Sequence, residues 1–178
     1  MIKKILWVVG AGMILFALTV IYQIATTRQH SPPATAILST THFQVTVDYC
    51  RPFKKGRKIF GELLPYDTYW RTGANEPTVI TFSDDVYFGT SEVPAGKYRL
   101  YTIPGESEWQ VVLNAETEQW GYWEPDYNLD VAKVTVPVQQ SDSCVQQFLI
   151  RLTDQPYGAN LALIWDFTKV IVPIKKGV

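Results

Sequence analysis

His42-Phe43-Gln44-Val45-Thr46-Val47-Asp48-Tyr49 decides the fold class: Phe43, Val45, Val47 and Tyr49 alternate with Gln44, Thr46 and Asp48. A period of two turns successive side chains to opposite faces, so the segment is a strand with one face buried. Outward from it the same pattern recurs at Thr78–Phe82, Val86–Phe88, Lys97–Ile103, Trp109–Leu113, Lys133–Val138, Val145–Leu152, Leu161–Trp165 and Val170–Ile174. Turn-forming clusters separate these runs, among them Ser83-Asp84-Asp85, Pro94-Ala95-Gly96, Pro104-Gly105 and Tyr157-Gly158. Short strands joined by turns, without helical crossovers, predict an all-β domain: an antiparallel β-sandwich, jelly-roll-like. The continuously apolar runs at Ala162–Ile164 and around Ile171 are expected in a central strand covered on both faces.

Before the strands, Ile5 to Ala25 carries no Asp, Glu, Lys, Arg or His over 21 residues. As a helix this spans roughly 31 Å, the thickness of a bilayer core. It predicts one N-terminal transmembrane helix acting as an uncleaved signal anchor. Lys3 and Lys4 before it orient the N-terminus to the cytoplasm by the positive-inside rule. The domain organisation expected is therefore a cytoplasmic N-terminus (1–4), a transmembrane helix (5–25), a flexible Thr-, Ser-, Ala- and Pro-rich linker (26–39) and an exported β-sandwich (40–178). The expected location is the inner membrane, single-pass, with the domain on the periplasmic side.

The whole chain holds 16 Lys and Arg against 17 Asp and Glu, with 47% hydrophobic and 13% aromatic residues. Beyond the linker the acidic residues outnumber the basic ones, which argues against nucleic acid as a partner. With only His30 and His42, no metal-ligand spacing, no GxSxG elbow and no base for a nucleophile, the sequence predicts no metal, no cofactor and no hydrolytic triad. Cys50 and Cys144 are the only cysteines, and in an exported domain such a pair is a disulfide candidate.

Three segments carry polar chemistry that a sandwich does not need. RPFKKGRKIFGELLPY (51–66) gathers Arg51, Lys54, Lys55, Arg57 and Lys58, a cluster able to hold a carboxylate or phosphate. WRTGANEPT (70–78) sets Arg71, Asn75 and Glu76 around Gly73, groups that either orient a ligand or satisfy one another. WGYWEPDYNLD (120–130) mixes Trp120, Tyr122, Trp123 and Tyr127 with carboxylates, as sugar-binding and interface loops both do.

YCRPFKKGRKIFGELLPY, WRTGANEPTVITF, VPAGKYRLYTIP, the strand ending WQVVLN at Asn114, and the Trp120-Gly121 pair together resemble a bacterial domain-of-unknown-function family, number 2911, seen mainly in Bacteroidota. The resemblance covers Thr40 to Ile174. It implies an exported β-rich domain and brings no activity, cofactor or catalytic residue with it.

The functional expectation is a membrane-anchored envelope protein binding a small polar or sugar-like ligand through Arg57, Arg71, Asn75, Glu76, Asn114, Trp120 and Tyr127. Two alternatives from other classes stand beside it. One is an accessory subunit of a membrane protein complex. The other is a hydrolase using Glu76 with Asp126 or Asp130 as a carboxylate pair.

Overall fold

The computed structural model describes residues 2–40, 43–119 and 121–177, and within the first helix the side chains of residues 7, 9–22, 26 and 28–30. Helix α1 runs from Ile2 to His30. Ten strands follow: β1 Pro33–Ser39, β2 Gln44–Cys50, β3 Thr78–Phe82, β4 Val86–Phe88, β5 Ser91–Val93, β6 Gly96–Pro104, β7 Glu108–Asn114, β8 Asp130–Pro137, β9 Gln139–Gln155 and β10 Gly158–Lys176. They form two antiparallel sheets, one of six strands in the order β1-β2-β3-β6-β7-β8 and one of four in the order β5-β4-β10-β9. This is a sandwich of six on four. Its larger sheet is close to a meander, interrupted only where β4 and β5 cross to the other layer, in place of the double Greek key of a jelly roll.

The alternation in β2 behaves as its pattern dictates: Val45 and Val47 are fully buried, Tyr49 nearly so. They join Ile80, Phe82, Leu100, Trp109, Val111 and Leu113 from the same sheet and Phe88, Phe148, Leu161, Leu163 and Val172 from the other in one core. Burying such side chains is worth about 1.5–3 kcal/mol each before entropy is charged. One end of that core is aromatic. Trp70 stacks on Trp165 at 5.9 Å, and Phe60 lies 4.9 Å from Trp109, while Trp70 meets Phe148 edge-on at 5.0 Å.

Three readings of the sequence change. Pro33–Ser39, read as linker, is strand β1, paired antiparallel with β2 from Pro33↔Cys50 to Ser39↔Gln44. It lies at the sheet edge, where a proline as first residue removes no ladder bond, and its small Ala34 and Ala36 pack on the core. Leu161–Trp165 and Val170–Ile174 are one strand, β10, whose register against β9 shifts on both sides of Asp166. Asp166 has φ 56°, a left-handed bulge that lets a bent strand read as two. As expected, β10 is central, between β4 and β9.

The disulfide candidate is the third. Cys50 and Cys144 are both free thiols. The Tyr49 hydroxyl donates to Ile150 O and Arg51 Nε to Phe148 O, so the end of β2 lies along β9 near residue 150, six residues from Cys144. At about 3.3 Å per residue they stand roughly 20 Å apart, far beyond the ~7 Å between Cα atoms that a disulfide spans.

Among the described residues no helix is long and apolar enough to cross a membrane. The side chains of α1 that are described without a break run from Val9 to Tyr22; Met13, Leu15, Phe16 and Leu18 among them are exposed.

Candidate functional site

The basic segment is pinned to the middle of β9. Phe53 bridges Gln147, Lys54 N donates to Gln146 O at 2.7 Å, and Phe148 N donates to Pro52 O. Lys55 and Gly56, at φ 51° and 70°, then turn the chain back so that Arg57 N reaches Lys54 O. Ile59 and Phe60 plug into the aromatic end of the core and fix the far side of this loop. Of the five cations, Lys54 pairs with Asp166 at 2.5 Å, Lys58 with Glu62 at 3.5 Å, and Arg51 donates to a carbonyl of β9. Arg57 donates only to its own loop, to Lys54 O and Phe53 O, and Lys55 Nζ lies 3.2 Å from His30 Nδ1. Neither has a carboxylate partner among the described residues.

The second segment is a knot of left-handed turns. Thr72, Gly73 and Asn75 have φ of 56°, 155° and 59°. A Cβ on Gly73 would lie 2.9 Å from Cys50 O, so the close approach to β2 requires glycine. Buried Thr72 donates to Thr102 Oγ1 and accepts through its carbonyl from Thr78, while the Trp70 backbone pairs with Thr102. Asn75 donates to Ser31 O, tying the turn to the chain after α1. Glu76 pairs with Arg28 at 2.7 Å and accepts from the Cys50 thiol at 3.2 Å. Burial opposes ionisation of Glu76, but hydrogen bonds from the backbone, Arg28 and Cys50 outweigh it and hold the carboxyl below its ordinary pKa. Burial, reinforced by the same contact, pushes the Cys50 thiol up to about 11, which leaves it without nucleophilic character at neutral pH.

The Arg and the carboxylate of this turn do not pair with each other. Arg71 donates weakly to Asn75 O at 3.4 Å and lies over the Tyr122 ring at 5.8 Å. Burial lowers its pKa, and the nearby charge of Arg99 adds to the effect. A guanidinium desolvated without an anion is poised for one.

Arg71 and Arg57 meet at a cavity of about 420 Å³, lined also by His30, Lys55, Trp70 and Trp165. Among the described residues no Asp or Glu lines it. The indole N–H of Trp165 is buried and has no acceptor, at a cost of about 1–3 kcal/mol for such a group. Three cations and an unused donor around apolar walls suit a ligand that carries an anionic oxygen.

Among the described residues, none of the third segment lines this cavity. Asn114 is fully buried, donates to Asp126 O and Asp130 Oδ1, each at 2.8 Å, and accepts from Glu116 N. It is a tie that holds Glu116, Asp126 and Asp130 to the end of β7, with both amide hydrogens committed. Burial, together with donation of its hydroxyl to Glu124, raises the pKa of Tyr127, and its ring faces Tyr101. Trp120 lies outside the described residues. The carboxylates of the hydrolase reading are committed elsewhere: Glu76 as above, Asp130 to Tyr101 and Asn114, and Asp126 to the N-terminus of the short 3₁₀ turn Tyr127–Leu129.

One residue of this region escaped the sequence reading. Arg99, in the middle of β6, is completely buried. Its Nη2 donates to the Tyr69 hydroxyl, to Trp123 O at 2.5 Å and to Gly121 O at 3.4 Å, while Nε and Nη1 have no partner. Its signal in KYRLYTIP was a charge between Tyr98 and Leu100, two residues after Lys97 in the same strand, which reads as a solvent-facing position until a loop is known to cover it.

No curated protein and no solved structure matches this chain. A family model described as a protein of unknown function, DUF2911, matches residues 31–174, from the start of β1 into β10 and including every cavity-lining segment except His30. The chain belongs to that family.

Proposed function

We propose that this protein is a membrane-anchored envelope domain that binds a small polar ligand bearing a carboxylate or phosphoryl group in the Arg57–Arg71 cavity. The observation that carries the reading is a cavity with Lys55, Arg57 and Arg71 in its lining and no acidic residue among them, beside an indole donor with nothing to bond. Arg57 and Arg71 engage the anionic oxygens, and the Trp70 side supports the apolar part of the ligand. Asn75 and Glu76 act one step removed: they fix the turn that presents Arg71.

Calorimetric titration of the full chain in detergent, with matched pairs of neutral sugars and sugar phosphates and with small dicarboxylates, tests it. Binding is expected for the anionic member of each pair only. Arg57→Ala and Arg71→Gln are each expected to weaken it by about ten- to a hundredfold, the loss of one charge-assisted contact. Equal affinity for a neutral sugar and its phosphate would sink the reading.

The anchored location rests on the uncharged run from Ile5 to Ala25 and on the continuous helix α1 that contains it. The alternative of an accessory subunit is favoured by one feature, the exposed Tyr122–Trp123 edge-to-face pair, the type of aromatic surface that interfaces use. A stoichiometric partner retained through mild detergent extraction, and lost in Tyr122→Ser/Trp123→Ser, would establish it.

A further inference from the structure

The cationic cavity lies at the end of α1. His30, the last residue of that helix, and Ser31, the next, both line it. Only Ser31 and Pro32 separate α1 from β1, and the junction is tied down on several sides: Arg28 pairs with Glu76, Asn75 donates to Ser31 O, and Arg51 N donates to Pro32 O. The domain therefore sits directly on the helix end, with no slack segment to carry the cavity away from it. As a helix, the run from Ile5 to Ala25 matches a hydrocarbon core in length, and His30 follows Ala25 by roughly 7–8 Å along the axis. The headgroup layer on each side of such a core is roughly 5–8 Å deep. With that run in the core, the His30 side of the cavity stands at the depth of the lipid phosphates.

Charge and lining suit that depth. Within two residues of the lining positions the acids are Glu62, Glu76 and Asp166, and each is paired with a cation that does not line the cavity: Lys58, Arg28 and Lys54. Lys55, Arg57 and Arg71, which do line it, keep no ion-pair partner among the described residues. Phe53 and Leu63 line the same cavity and are exposed. Exposed apolar side chains among cations are what a lipid interface favours, since the cations meet phosphate while the apolar groups meet glycerol and the first methylenes. A zwitterionic headgroup would bring an ammonium among three cations, and among the described residues no carboxylate lines the cavity to receive it.

Resting on the anchored, anion-binding reading of this cavity, we propose that its ligand is the phosphodiester headgroup of an anionic phospholipid in the leaflet on which the domain sits. Arg57 and Arg71 take the phosphate oxygens, Lys55 adds its charge, and Phe53 and Leu63 lie against the glycerol and upper chains. The same phosphate chemistry is offered by a free phosphate ester, and the two sources separate by whether acyl chains are needed.

The full chain in a neutral detergent is given phosphatidylglycerol, phosphatidylcholine, or glycerophosphoglycerol, which is the first headgroup without its chains. Thermal unfolding and the lipid retained through chromatography are read. Phosphatidylglycerol is expected to be retained and to raise the unfolding temperature, because a ligand bound only by the folded state stabilises it. Phosphatidylcholine is expected to do neither, and glycerophosphoglycerol to act only at about tenfold or higher concentration, having no apolar part to bury. Arg57→Ala and Arg71→Gln are each expected to weaken the phosphatidylglycerol response by about tenfold or more. Lys133→Gln, which removes an exposed cation of β8 outside the cavity, is expected to leave it unchanged. Should the Arg71 variant not fold, Arg57→Ala carries the test, since that guanidinium bonds only to its own loop. Equal responses to the two lipids, or equal losses in Arg57→Ala and Lys133→Gln, overturn the assignment. Glycerophosphoglycerol binding as tightly as the lipid makes a free phosphate ester the ligand, which ends the lipid assignment and leaves the anion site standing. No response to any of the anions ends both.

Discussion

Cys50 and Glu76 share a contact that acts on their pKa values in opposite directions, adding to burial in raising the thiol and to backbone and Arg28 hydrogen bonds in lowering the carboxyl. The thiol donates to the carboxylate, so protonated Cys50 and ionised Glu76 are each the form the fold prefers. For Cys50 the folded value of about 11 lies above the ordinary thiol value, so its contribution is complete below the unfolded pKa and is lost as pH rises toward 11. For Glu76 the depressed pKa makes the contribution complete above the ordinary carboxyl value and lost as pH falls through the folded one. Denaturant unfolding of the full chain is therefore expected to weaken between about pH 9 and 11, and Cys50→Ala is expected to flatten that alkaline limb relative to wild type. An unchanged limb in the variant would assign the loss to other groups. At the same scale the sequence proposes Arg71 and Arg57 as site residues from their charge and their neighbours, and the structure places both on one cavity. The sequence could not separate them from Asn114, because an amide that ties a loop and an amide that orients a ligand are the same residue until its partners are known.

At the scale of elements, β1 changes where the domain begins. Read by composition, 26–39 is linker, since two prolines and small residues are typical of extended connections. Paired with β2, the same residues protect that strand's edge and place Ala34, Ala36 and Leu38 on the core. A chain that starts at residue 31 is expected to give a cooperative thermal transition. One that starts at residue 40 is expected to lose it or aggregate, because it uncovers the edge of β2 and part of the core. Circular dichroism and size-exclusion chromatography of the two truncations check this, and equal behaviour would make β1 dispensable. Strand β2 was legible because its alternation is strict, and β3 and β7 because they are short runs of apolar, largely β-branched residues bounded by turn clusters. The joined β10 was not, because a left-handed Asp166 interrupts the period without ending the strand.

For the molecule as a whole, the two sheets bring one aromatic end of the core against three loops far apart in sequence. Trp70, Trp165 and Phe60 pack together there, and the cationic cavity opens beside them. The proposed anchor places this end of the domain close to the bilayer, since His30 at the end of α1 lines the same cavity. Membranes washed with alkaline carbonate are expected to retain the full chain and to release one that starts at residue 31. Release of the full chain by carbonate would end the anchor reading.

The sequence by itself determined the all-β class, most strand positions, the family and the residues that carry charge in the loops. These follow from local periodicity, turn chemistry and residue type, which need no knowledge of distant contacts. Tertiary structure alone decided that Cys50 and Cys144 stay apart, that Arg57 and Arg71 share a cavity while Asn114 holds a loop, and that Arg99 is sealed in with no ion-pair partner among the described residues. Each of these depends on which strands become neighbours and which loop folds over which sheet face. Burial and partnership are properties of that packing, and a residue's own chemistry is the same on either side of it.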